Sequence, residues 1–296
     1  CKDRFSVPKS EMQRRAPKRA AVYLDLLHGE HERAATALYT KHNVNKTVLL
    51  ALEKAGLVTL YESELYRIPD MKMDALAQPK HQLNAEQQGS FDAICSAVNE
   101  KRYATFLLRG ITGSGKTEVY LQTIEAVLRQ GRDAIMLVPE ISLTPQTVGR
   151  FYARFAQDIA VLHSGLSDGE RYDAWRRARE GKVRIVVGAR SAVFAPLPDV
   201  GIIIVDEEHD NSYKQNDTPR YHARDVAIVR SRMNNAVCVL GSATPSVESY
   251  YNSESHKSTR IELLTRASSG VLPTVKLIDM RREKIENPGQ LILSPI

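Results

Sequence analysis

Cysteine is scarce in this 296-residue chain: Cys1, Cys95 and Cys238 stand far apart and form no C-x-x-C pair. Neither a disulfide framework nor a zinc cluster can be assembled from them, which leaves buried or incidental thiols. Glycine and proline are also modest, at 16 and 13 residues, beside 43% hydrophobic and 26% charged residues. Collagen-like, low-complexity and wholly disordered readings are excluded. No apolar run approaches the roughly 18 to 20 residues that a membrane-spanning helix requires, and the beginning lacks a hydrophobic signal core. Partnership with a membrane is therefore not expected, and a cytoplasmic address is the default. Cys1 rather than Met in first place suggests an excised piece of a longer protein, or a processed one.

The length is two domains' worth with at least one sizeable core, so an enzyme is admissible. The net charge is +6, and most of it sits at one end: residues 1–20 carry seven cations and two anions. Such an arm can lay cations along a phosphate backbone with salt-sensitive affinity, and a solvated linker explains it equally well.

Residues 1–19 read as a basic linker and residues 20–70 as a small domain. In it Val22, Leu24 and Leu27 mark a first helix, Ala34, Ala35 and Leu38 a second. A third spans residues 45–55, with Asn45 as N-cap, Val48, Leu49 and Leu52 on its apolar face and Gly56 as stop. Residues 57–61 and 65–68 would flank a hairpin turn, completing a winged-helix order. The third helix offers only Lys46 and Lys54 as cations, so docking is as open to it as DNA contact.

After a linker at residues 71–82, apolar runs at 105–109, 134–138, 159–162, 183–187, 202–205 and 237–240 alternate with helical stretches such as 116–129 and 144–155. This is the pattern of an α/β fold with a mostly parallel sheet covered on both faces, which binds ligands beyond the carboxyl ends of its strands.

The residues that carry chemistry fall at those ends. Gly110, Ile111, Thr112, Gly113, Ser114, Gly115, Lys116 and Thr117 fit the phosphate-loop pattern, with an apolar strand before and an amphipathic helix after. The glycines let backbone N–H groups face phosphate, Lys116 reaches the terminal phosphates and Thr117 ligates magnesium, with ATP or GTP as the nucleotide. The strand at 202–205 ends in Asp206, Glu207, Glu208 and His209. Asp206 is placed to hold the metal and Glu207 to polarise an attacking water, which together with the loop points to a nucleotide hydrolase. The run at 237–240 leads into Gly241, Ser242, Ala243, Thr244 and Pro245, whose small hydroxyls can relay the state of the phosphate site.

This order of phosphate loop, DEEH strand end and GSAT strand end resembles motifs I, II and III of superfamily 2 helicases. More narrowly, GITGSGKTEVYL at 110–121, LHSGLSDGER at 162–171, DEEHDNSYKQ at 206–215 and RYHARD at 220–225 resemble the PriA family of bacterial primosomal replication-restart helicases. The resemblance covers residues 83–250 and implies a RecA-like first helicase lobe over 83–270, with 271–296 starting a connection to a second lobe. It makes Gln87 an adenine-reading glutamine, so that the nucleotide is ATP, and residues 138–146 and 188–192 DNA-tracking motifs. His209, Ser242 and Thr244 would couple hydrolysis to DNA. The loop at 211–224 would meet single-stranded DNA through Tyr213, Lys214, Arg220, Tyr221 and His222, aromatic faces stacking on bases and cations holding phosphate, and Arg190 of the stretch 188–192 would also contact DNA.

Implied further are ATP and Mg²⁺ as cofactors, structural zinc only in parts outside this sequence, and forked and single-stranded DNA, single-stranded DNA-binding protein and primosomal proteins as partners. An arginine finger on the second lobe is also outside it, and its loss typically slows phosphoryl transfer by about 10³ to 10⁵. The expectation is therefore a chain that binds ATP and DNA weakly and does not unwind alone. Another superfamily 2 translocase or branch remodeller, and a nucleotide-gated docking module, remain open alternatives.

Overall fold

Apolar residues recurring at helical spacing near the beginning, and strand-length apolar runs later, build two separate units in the computed structural model. The structure describes Arg14 and residues 16–28, 33–61 and 80–267. The first unit holds α1 (Pro17–His28), α2 (Ala35–His42) and α3 (Lys46–Lys54). Val22, Leu38, Leu49 and Leu52, one or two from each helix, are buried together, with Tyr39, Val48 and Leu57 against them.

Local chemistry sets the helix ends. Asn43 stops α2 in a left-handed conformation, φ 48°. Helix α3 starts after Asn45, whose extended backbone caps without a side-chain bond, and Gly56 at φ 69° turns the chain away at its other end. The carboxylate of Asp25 gathers Lys41 at 2.7 Å, His42 at 2.8 Å and Arg33 at 3.3 Å. The three expected helices thus form. Residues 57–61 are in no strand among the described residues; the segment expected at 65–68 lies outside them, as do most of the basic arm, residues 71–79 and the stretch 271–296.

The second unit is a seven-stranded parallel sheet in the order β3 (Ile159–Leu162), β4 (Ile185–Gly188), β2 (Asp133–Leu137), β5 (Val200–Val205), β8 (Val237–Ser242), β1 (Ala104–Gly110), β9 (Thr259–Leu263). A two-stranded ribbon, β6 (Lys214–Gln215) with β7 (Tyr221–His222), stands apart from it. Alternation along each strand feeds two cores. On one face Leu108, Met136, Ile204 and Val239 meet α4 (Ala85–Asn99), α5 (Lys116–Arg129) and α6 (Pro145–Phe155) through Ile94, Val119, Ile124 and Phe151. On the other, Leu107, Ile135, Ile203 and Cys238 meet α7 (Asp168–Arg179) and α8 (Ala223–Met233) through Ala174, Ala178, Ala223 and Ala227. Helix α9 (Val247–Glu254) follows β8. Each fully buried aliphatic side chain contributes about 1.5 to 3 kcal/mol, and both faces carry them on every central strand.

All six expected apolar runs are strands, within two residues at each end. The seventh, β9, is new: its sequence TRIEL mixes charge with two aliphatics because only one side of an edge strand needs to be apolar. Residues 85–267 thus form the expected α/β lobe with a mostly parallel sheet. The carboxyl ends of β1, β5 and β8 lie side by side, with Val205 opposite Leu240 and Arg109 opposite Ser242.

Lys41, then His42, with Arg33, holds the Asp25 carboxyl down at about 2 against an ordinary 3.8. A depressed carboxyl contributes stability that is present above pH 3.8 and lost as the pH falls through about 2. Asp25→Asn is therefore expected to reduce hydrogen-exchange protection of α2 and α3 at neutral pH, with the difference from the unaltered chain closing below about pH 4. Equal protection at neutral pH would show that the cluster does not stabilise the unit.

Candidate nucleotide and nucleic-acid site

The phosphate loop joins β1 to α5, and its shape is set by neighbours on both sides. Gly115 holds φ 83°, and a Cβ there would come within 2.3 Å of Gln87 Nε2, so the position requires glycine. Lys116 is buried and its ammonium donates to the Gly110 carbonyl at 2.8 Å. Ser114 Oγ is buried without a hydrogen-bond partner. An orphaned hydroxyl, a lysine resting on its own loop and a glycine turn at a helix N-terminus fit a polyphosphate, which would give each of them an acceptor. Thr117, one residue into the helix, is partly exposed.

Gln87, the residue expected to read adenine, lies against the loop, and both ends of its carboxamide are in use. Oε1 accepts from Asn84 N–H at 2.9 Å in a capping box, and Nε2 donates to the Ser114 carbonyl at 2.8 Å. In this geometry the glutamine braces the phosphate loop. A second brace was not foreseen. Glu86 Oε2 accepts from Leu264 N–H at 2.8 Å and Thr265 N–H at 3.0 Å, and Ala267 N–H donates to the Gly113 carbonyl at 2.9 Å. The chain after β9 thus runs along the loop; the sequence signal for it, an acidic residue in the first turn of α4, is too common to read.

At the end of β5, Asp206 sits under the loop helix. Tyr120 donates its hydroxyl to Asp206 Oδ1 at 3.1 Å. Burial, then the neighbouring carboxylate, pushes the Tyr120 pKa well up, so the hydroxyl stays protonated and donates. Burial and the Glu207 charge raise Asp206 to about 6, against the pull of Tyr120 and Lys116. Such a carboxylate gains from a cation, which favours its ionised form. Tyr120 falls one turn beyond Lys116, a spacing legible in the sequence but there indistinguishable from a core position.

Glu207 adopts φ 44°, in the left-handed region. His209 Nδ1 lies 3.7 Å from its carboxylate and 2.8 Å from Ser242 Oγ, which also accepts from Thr244 N–H at 3.0 Å. His209, Ser242 and Thr244 are thus brought together and join the ends of β5 and β8.

The loop candidates divide. Lys214 and Arg220 are exposed, and Tyr221, half-buried, stacks edge-on against Phe194 with ring centres 5.0 Å apart. Half-buried His222 has its pKa lowered by burial, then by Arg224, and its Nδ1 is buried without a partner. Arg190 donates to the carbonyls of Ser212 at 3.2 Å and Lys214 at 2.8 Å, so its guanidinium clasps the loop. The expectation for Tyr213 is corrected: it is fully buried, with its hydroxyl donating to the Asp206 carbonyl at 2.7 Å, and no face of the ring is open to a base. An aromatic in a polar loop reads as a surface residue until the fold shows the apolar face it fills. Cys95 and Cys238 are buried free thiols, as expected, pushed up by burial to about 11 and about 12.

A family model described as DEAD/DEAH box helicase matches residues 84–252. The replication restart protein PriA of Bacillus subtilis (strain 168) is 45% identical over 286 residues, which is 95% of this chain and 35% of that protein. The PriA of Chlamydia pneumoniae is 41% identical over 94% of this chain and 37% of its own length. This chain therefore spans a little over a third of those two relatives. Among solved structures, RecG bound to a three-way DNA junction aligns with a TM-score of 0.48 and 20% identity, over 64% of this chain and 25% of that one.

Position 241 yields a stability test. A Cβ on Gly241 would lie 1.6 Å from the Tyr120 hydroxyl. Gly241→Ala is expected to lower stability by about 1 to 3 kcal/mol, read from the urea midpoint, and Tyr120→Phe in the same chain to recover part of it. An unchanged midpoint would mean that Tyr120 can leave Asp206 without cost.

Proposed function

This chain belongs to the DEAD/DEAH box helicase family, and on that premise we propose that it is the ATP-binding lobe of a replication-restart DNA helicase, one that couples ATP hydrolysis to movement on forked and single-stranded DNA. The observation that carries the reading is the Tyr120 to Asp206 hydrogen bond, which links the phosphate-loop helix to the acidic strand end. Two separate sequence motifs are one site.

Lys116 and the N–H groups of residues 113–117 hold phosphate, Gln87 and Glu86 keep the loop in shape, and Thr117 with Asp206 holds magnesium. Bound magnesium and ATP supply a phosphoanhydride whose charge is partly neutralised. Glu207, a third exposed and aimed by its left-handed backbone, takes the proton of the attacking water. His209, Ser242 and Thr244 carry the state of that carboxylate to the end of β8. Lys214, Arg220, Tyr221 and His222 form the face for single-stranded DNA, with cations for phosphate and a ring for a base, and Arg190 fixes the loop that presents them. Tyr213 is a support of that loop. The relatives from Bacillus subtilis and Chlamydia pneumoniae are both replication restart proteins by name, which favours stalled or forked DNA as the substrate and primosomal proteins as partners. Any structural zinc would be held outside the residues described.

Calorimetric titration with magnesium-ATP tests the reading. The unaltered chain is expected to bind, Lys116→Ala to lose at least about 100-fold in affinity, roughly 2.7 kcal/mol, and Glu207→Gln to stay within about two-fold. Turnover, where present, should be absent from Glu207→Gln. Failure of the unaltered chain to bind magnesium-ATP would overturn the proposal.

A further inference from the structure

Between Glu207 and His209 stands Glu208, to which the chemistry above gives no part. It is completely buried, at 0% exposure. An ionised carboxylate there is tolerated only where an opposite charge and hydrogen bonds replace water. Oε1 accepts from Ser246 N–H at 2.7 Å. Oε2 accepts from Arg224 at 3.2 Å, Ser246 Oγ at 3.0 Å and Ser249 Oγ at 2.7 Å. The residue's own N–H donates to the Gly241 carbonyl at 3.0 Å.

This knot joins three pieces of chain. Glu208 belongs to the strand end that bears Asp206 and Glu207. Arg224 is the second residue of α8 and follows β7 of the loop ribbon with one residue between. Ser246 caps α9, directly after the segment that carries Ser242 and Thr244. Arg224 is itself held, through Nη1 to Ser246 Oγ at 2.8 Å and Nε to Asp225 at 3.0 Å.

What lies between the anchors is strained. Glu207 at φ 44° is in a region that costs a non-glycine residue on the order of 1 kcal/mol or more, and it persists only if its neighbours hold it. On one side the Asp206 N–H donates to the Leu137 carbonyl at 2.9 Å and the Asp206 carbonyl accepts from Tyr213. On the other side the Glu207 carbonyl accepts from the Asp210 N–H at 2.8 Å, and the next residue is the anchored Glu208. Withdrawing Arg224 would leave a buried carboxylate unmatched, so displacement of the loop cannot leave Glu208 unaffected, and Glu207 is the adjoining residue.

We infer that Glu208 and Arg224 are a positioning pair: they hold Glu207 in its left-handed turn and link occupancy of the loop at residues 211–222 by single-stranded DNA to occupancy of the phosphate loop by nucleotide. The inference rests on the preceding reading of those two sites. The pair touches neither ligand. Its contribution is to coupling, a reciprocal quantity distinct from either affinity.

The experiment measures the affinity of the full chain for a fluorescent ATP analogue with magnesium, alone and with saturating oligothymidylate, and the reverse. In the unaltered chain each ligand is expected to tighten the other by about five-fold or more. In Glu208→Gln, shown folded by its thermal melt, coupling is expected to fall to within about two-fold of unity while nucleotide affinity without DNA changes by less than about three-fold. Arg224→Lys, which keeps the charge, should retain part of the coupling. Should Glu208→Gln not fold, Ser249→Ala, which leaves both charges in place, is expected to reduce coupling to an intermediate value and decides the matter. Full coupling in these variants, or a nucleotide affinity that falls equally with and without DNA, overturns the inference and leaves the reading of the sites intact. No binding of either ligand by the unaltered chain overturns the reading and the inference together; binding of both without coupling overturns the inference alone.

Discussion

Tyr120 reaches Asp206 across a space that exists because residue 241 has no side chain, and one helix and two strand ends meet at that contact. The hydroxyl comes from the phosphate-loop helix, the carboxylate from the end of β5 and the opening from the end of β8. Burial keeps the phenol protonated and raises the carboxyl. The hydrogen bond therefore holds a carboxylate that prefers a cation close to a loop that prefers an anion. A magnesium-bound polyphosphate is the ligand class that satisfies both at once.

Around that contact, polar groups that sequence alone would assign to ligands turn out to be shared with the fold. Gln87 braces the loop through both ends of its amide, Arg190 clasps the carbonyls of the ribbon loop, and Tyr213 supports the Asp206 backbone from beneath. The cause is common to all three. A strand end that presents charged groups to a ligand also exposes backbone donors and acceptors that no ladder satisfies, and nearby side chains must answer them. Further out on the same loop, Lys214 and Arg220 are exposed and Tyr221 is half-buried against Phe194.

The same requirement explains the serine-rich start of α9. Ser246 and Ser249 carry no signature of function, yet with Arg224 they complete the shell of a carboxylate that no water reaches. Glu207, one residue away, is held in a strained turn, so the cost of that conformation is met by bonds made to its neighbours.

Sequence by itself determined the alternation of strand and helix, the position of the phosphate loop, the acidic strand end at Asp206 and Glu207, and the small-residue end at Ser242 and Thr244. These are local: apolar runs of strand length, helical spacing and glycine placement depend on near neighbours in the chain. Helix positions in the first unit were legible for the same reason. Only the tertiary structure decided that β9 closes the sheet edge, that the chain after it runs along the phosphate loop, that Tyr213 faces inward and that Glu208 is paired with Arg224. Each of these depends on which residues far apart in the chain come within a few ångströms, and in particular on the strand order that sets β1 between β8 and β9. Neither composition nor spacing encodes that order, because it is selected by the simultaneous burial of both faces of the sheet.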